Sequence, residues 1–160
     1  MSKEKYHLFW TGPFSQWNNS EFVVDGQKYV TAEQYMMHKK ALLFNDKNTA
    51  DKIIKSDSPA TQKSLGRKVK GFDEKIWRKH REQIVYDGNY AKFSQNEYLL
   101  KELLDTGDKI LVEASPVDKI WGIGLAEENK DAYNPVKWRG LNLLGKVLTQ
   151  VKHDLKNRKI

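Results

Sequence analysis

The chain has 160 residues, 39% of them hydrophobic, a formal net charge of +7 and no cysteine. Its length suits one hydrophobic core, and no Pro/Gly/Ser-rich run divides it, so the sequence reads as a single domain over residues 1–160. The missing cysteines exclude disulfides, thiolate nucleophiles and Cys-based zinc sites, the short apolar runs exclude a membrane-spanning helix, and the basic charge points to polyanionic partners: nucleic acid or phosphorylated small molecules.

The N-terminus MSKEKYHLFW lacks the apolar stretch of a signal peptide, so a cytoplasmic location is the default expectation. The aromatic, turn-rich segment YHLFWTGPFSQWNN follows, and SEFVVDGQKYVT then predicts two short strands around the hairpin signal Asp25-Gly26. Thr31 and Gln34 have the spacing of a capping box, and the good helix formers after them predict a helix to about Phe44, ended by Asn45-Asp46. NTADKIIK predicts a short helix, and Ser58-Pro59 opens another through ATQKSLGRKV. A longer helix starts at Asp73, with Ile76, Trp77, His80, Ile84 and Tyr90 as its expected inner stripe. QNEYLLKELLDTG is a helix stopped at Thr106-Gly107, KILVEAS a buried strand, and the chain closes on an amphipathic helix carrying Leu144, Val147, Leu148 and Val151. The expected fold class is α+β: mainly helical, around a small β-sheet.

The helix over VTAEQYMMHKKALLF carries an anomaly. Steps of three and four from Glu33 reach Met36, Met37, Lys40, Leu43 and Phe44, so two charged side chains share a stripe of large apolar ones. Glu33 and Lys40 are two turns apart, roughly 10 Å along the axis, on nearly one azimuth. Either both snorkel to water from the rim of the core, or they converge on a small object in a pocket.

Other motifs lead nowhere. GLNLLGKV, Gly140 to Val147, nearly spells a phosphate-binding loop but has Val147 where the magnesium-binding hydroxyl belongs, and its leucines repeat as a helix. GIGLAE has Glu127 at the third glycine of a dinucleotide fingerprint. The histidines at 7, 38, 80 and 153 share no metal-ligand spacing, so no metal or cofactor is expected. What survives is the end of the buried strand, where Glu113, Asp118, Trp121, Gly122 and Gly124 gather; the glycines allow close backbone approach and the indole offers a flat face, though Trp121 could equally be a core aromatic.

The ordered series FSQW at 14–17, YVTAEQYMMHKKALLF at 29–44, LGRKV at 65–69, KFSQN at 92–96, LLDTGDKILVEASPVDKIWGIG at 103–124 and WRGLNLLGKVL at 138–148 resembles the NADAR, or YbiA-like, family over nearly the whole chain. The resemblance implies hydrolysis of a ribose C–N glycosidic bond, in phosphorylated ribosylamino-pyrimidine intermediates of riboflavin synthesis or in ADP-ribose carried on guanine bases of nucleic acid. It implies a phosphorylated ribosyl substrate, free or attached to DNA.

That chemistry offers the charged pair a use. A lysine among apolar side chains has its ammonium form disfavoured, which frees the amine to form a Schiff base with the ring-opened sugar. By resemblance Lys40 takes this role, Glu33 shuttles the proton and Asp118 stabilises the cationic intermediate or positions water. Trp121, Gly122, Trp77, Trp17 and Asn96 are expected around the substrate, with Lys63, Arg67 and Lys92 as phosphate candidates. The alternative is a non-catalytic module binding ADP-ribose-like ligands or nucleic acid through the same residues, although a binder gains little from an amine placed in hydrocarbon.

Overall fold

The computed structural model describes residues 2–158. In chain order the elements are α1 (Ser2–Lys5), β1 (Tyr6–Phe9), β2 (Phe22–Val24), β3 (Gln27–Tyr29), α2 (Ala32–Leu43), α3 (Lys47–Ile54), α4 (Pro59–Gly66), α5 (Glu74–Ser94), α6 (Glu97–Leu104), β4 (Ile110–Glu113) and α7 (Leu143–Lys156), with a 3-10 turn at Pro135–Lys137. The class is α+β, as the sequence predicts. The chain forms two compact units, one from Gln16 to Asn96 and one that joins the residues up to Ser15 with those from Glu97 onward.

In the 16–96 unit, β2 and β3 pair antiparallel with Phe22 opposite Tyr29. Asp25 (φ 50°) and Gly26 (φ 80°) supply the two left-handed residues that a tight hairpin turn demands. Phe22, Tyr29, Tyr35 and Ala91 form a buried cluster, and Gln95 closes the outer edge of β2 by accepting from Val23 N at 2.8 Å and donating to Val23 O at 2.8 Å. α2 runs through the centre of this unit, packed on α3, α4 and α5. Its cap is the expected one: Thr31 Oγ1 accepts from Gln34 N at 2.9 Å, while Gln34 Oε1 accepts from Val30 N. Gln34 Nε2 donates to the carbonyls of Ile53, Ile54 and Ser56, so a buried amide ties the end of α3 to the start of α2. α4 stops at Gly66, short of the Val69 expected, and that glycine is a packing requirement. A Cβ there would lie 1.9 Å from Met37 Sδ.

In the other unit, β1 and β4 pair parallel from Tyr6↔Ile110 to Phe9↔Glu113. The small sheet foreseen is therefore two separate two-stranded sheets, and β1 falls in a segment the sequence marks only as aromatic and turn-rich. Among the described residues no strand pairs with the far side of β4. There Asn142 Oδ1 accepts from Glu113 N, Asn142 Nδ2 donates to Leu111 O, and Thr149 Oγ1 accepts from Leu111 N. α7 can lie this close because Gly145 has no side chain: a Cβ would meet Leu111 O at 2.1 Å. That packing role accounts for the glycine in the near-miss phosphate-loop motif. Leu8, Val112, Ala114, Ile123, Leu125 and Ala132 form the core here.

The inner face of α5 departs from the expected stripe. Ile76 and His80 are exposed, Ile84 and Tyr90 half-buried, and the buried positions are Trp77, Arg81, Val85, Gly88, Asn89, Ala91, Lys92 and Phe93. The period is helical but the face is rotated, because three of its members are polar or charged and a reading by hydrophobicity turns those outward.

Candidate active site

The first turn of α2 places Glu33. Its carboxylate-bearing residue is only 5% exposed, and its backbone N–H donates to Gln16 O at 2.9 Å. Gln16 is buried too, and its Oε1 accepts from Asn89 Nδ2 at 2.8 Å, so α5 and the segment before the hairpin both hold the start of α2.

Two turns further along the same helix is Lys40, half-buried, with Nζ 4.7 Å from the centre of the Phe72 ring and 5.5 Å from that of Trp77. Burial pulls its ammonium below the ordinary lysine range; the charges of Glu33 and Glu74 oppose this, Arg67 adds to it, and the net direction is down. Lys40 and Glu33 thus feel one another electrostatically, as their shared azimuth predicts. Lys39 turns elsewhere, its Nζ 5.6 Å from the Tyr35 ring.

Trp77 is buried and forms a wall beside Lys40, whereas Phe72 is 42% exposed and forms a lip. The sequence reading missed Phe72. It precedes Asp73, the cap whose Oδ1 accepts from Lys75 N and Ile76 N, and so occupies with Trp77 the two positions of a hydrophobic staple. That spacing is the signal that could have found it. Gln16 and Asn89 were missed as well, and no local pattern marks them.

Trp17 is 45% exposed, with Lys63 Nζ 5.9 Å from its ring. Lys63 and Arg67 are both exposed and one turn apart on α4 and its cap, so the cations proposed for phosphate do lie on one face, and Arg67 reaches Lys40 through its charge. Asn96 is placed differently: its Nδ2 donates to Glu21 O and Lys92 O, tying the end of α5 to the lead of the hairpin. Trp77 and Asn96 stand at opposite ends of α5, about 28 Å apart along its axis. Lys92 is fully buried and leaves the set of surface phosphate candidates; burial drives its pKa down to about 7.

Asp118, Trp121 and Gly122 come together in the other unit. Asp118 Oδ1 accepts from Ile120 N and Trp121 N, both at 2.9 Å, and its own N–H donates to Ser115 Oγ at 3.0 Å, so the carboxylate folds the loop. Trp121 is half-buried, and a Cβ on Gly122 would meet Glu113 O at 2.9 Å and Asp118 O at 3.0 Å. Among the described residues no cluster of three or more His, Cys, Asp or Glu side chains is arranged to hold a metal, and no helix is long and apolar enough to cross a membrane.

The model of the NADAR domain matches residues 6–156. This chain belongs to the NADAR domain family. A protein of Acanthamoeba polyphaga mimivirus named as an N-glycosidase is 48% identical over 150 residues, covering 88% of this chain and 86% of its own length. The Zea mays protein named riboflavin biosynthesis protein PYRR, chloroplastic, is 31% identical over 132 residues, which are 78% of this chain but 19% of that protein. The NMR structure of the E. coli protein YbiA superposes with a TM-score of 0.79 at 27% identity, covering 96% of this chain and 86% of that one. The α+β class read for this NADAR chain is thus shared with a solved relative.

Proposed function

We propose that this NADAR chain is an N-glycosidase that hydrolyses the ribose C–N bond of a phosphorylated ribosyl substrate through a Schiff base on Lys40. The observation that carries the reading is Lys40 itself: a half-buried amine set against Phe72 and Trp77, lowered in pKa, with a buried carboxylate two turns away on the same helix. The name of the mimiviral relative supports the bond type. ADP-ribose on guanine of nucleic acid and phosphoribosylamino-pyrimidine intermediates both present that bond beside phosphate, and the name of the maize relative touches the second.

In this reading the neutral Lys40 amine attacks the anomeric carbon as the C–N bond to the base breaks, and protonated Glu33 gives its proton to the departing nitrogen. The new ammonium on Lys40 returns a proton to the Glu33 carboxylate, and the sugar ring opens as its ring oxygen takes that proton, leaving an iminium between Lys40 and C1′. Water adds to the iminium, the amine leaves, and the released aldehyde recloses to the ribose product.

The test incubates wild-type protein and the Lys40→Ala variant with DNA ADP-ribosylated on guanine and, separately, with the ribosylaminouracil phosphate, reading released sugar by mass spectrometry. Borohydride should trap the sugar on Lys40 of the wild type only. Full activity in Lys40→Ala removes the covalent mechanism; ligand binding without product at any enzyme concentration makes the chain a binding module.

A further inference from the structure

Arg81 has no part in the mechanism above, yet it holds a buried polar atom without a partner. It is 8% exposed, on the inner face of α5, and its Nε is buried without a hydrogen-bond partner. Among the described residues its guanidinium makes no hydrogen bond or ion pair. An unpaired buried charge is a large penalty, and burial of an arginine is ordinarily accompanied by a carboxylate or phosphate. Of the acids on α5, Glu74 Oε1 accepts from Arg78 Nε at 3.1 Å and Asp87 Oδ1 accepts from Gln83 Nε2 at 2.8 Å.

The buried, partnerless atom is Nε alone, so the small exposure of the residue falls on the outer edge of the guanidinium, where two terminal nitrogens can reach a ligand. Helix geometry carries that edge toward Lys40. Arg81 is one turn past Trp77 on the same face, and helical side chains lean toward the N-terminus of their helix, which carries the guanidinium back to the level of Trp77. The Trp77 ring is 5.5 Å from Lys40 Nζ.

We infer that Arg81 is the anion receptor of this site, binding the phosphate of a ribosyl phosphate while Lys40 takes its anomeric carbon. The inference rests on the N-glycosidase reading for the sugar and on the orphaned guanidinium for the phosphate. It makes the arginine a residue that costs stability in the empty protein and returns it on binding, a signature that a packing role does not give.

The experiment titrates ribose 5-phosphate and ribose into wild type, Arg81→Met and Arg81→Lys by calorimetry, and compares ligand-free melting temperatures. Wild type should prefer the phosphorylated sugar by about tenfold or more. Arg81→Met, which keeps the aliphatic bulk, should bind the two within about twofold and melt at or above wild type, and Arg81→Lys should fall between. A Met variant that keeps the preference, or a wild type that shows none, overturns the inference. Should Arg81→Met fail to fold, the Arg81 Nε–H resonance of the wild type decides: a shift with ribose 5-phosphate and not with ribose supports the assignment, and a still resonance refutes it. No turnover is read, so these outcomes are separate from the Lys40→Ala test of the reaction.

Discussion

Lys92→Met should remove a pH dependence of stability that the wild type carries. Lys92 is fully buried, and burial lowers its pKa to about 7 from 10.5. Between these values the unfolded chain holds a proton on Lys92 that the folded chain lacks. Protonation therefore favours the unfolded state, and stability rises as pH rises through this window. One proton corresponds to about 1.4 kcal/mol per pH unit, so from pH 8 to pH 9.5 the wild type should gain about 2 kcal/mol over the variant. The window closes there because the unfolded lysine itself begins to lose its proton as pH approaches 10.5, so the two states no longer differ by a full proton. The assay is urea unfolding of both proteins at half-unit steps, read as a difference so that every other titration cancels. A difference that is flat, or that falls with pH, would refute the reasoning; its slope does not depend on the folded pKa being 7 rather than somewhat lower.

Glu33→Gln should move the Lys40 pKa further down, since the Glu33 charge opposes the effect of burial, and 15N-detected titration of Lys40 Nζ reads the direction. Gly66→Ala should destabilise by about 1–2 kcal/mol in urea despite the better helix propensity of alanine, because its Cβ would lie 1.9 Å from Met37 Sδ on buried α2. Asn142→Ala strands Glu113 N and Leu111 O beside β4 and should cost about 2–4 kcal/mol, with amide exchange accelerating at Glu113 first.

What could be read from the sequence was local. The Thr31–Gln34 cap, the Asp25-Gly26 turn and the different azimuths of Lys39 and Lys40 all follow from spacings within two turns, and the structure places each as those spacings require. The pairing of β1 with β4 joins segments about a hundred residues apart, and nothing in YHLF announces its partner. Arg81, Asn89 and Gln16 stayed hidden for another reason. Pattern reading sends polar residues to the surface, whereas this unit keeps these three in, at the expense of the hydrophobic stripe that would have revealed the face.

Side chains also guard the strands against other molecules. Gln95 occupies the open backbone of β2, and Asn142 with Thr149 that of β4, so neither offers a bare ladder to a strand from another chain. At Gln95 the guarding contact is at the surface, where its removal leaves the interior untouched. Gln95→Ala should therefore be visible as concentration-dependent light scattering before any change in melting temperature: the amide that finishes a hairpin also covers the edge along which a second copy would pair.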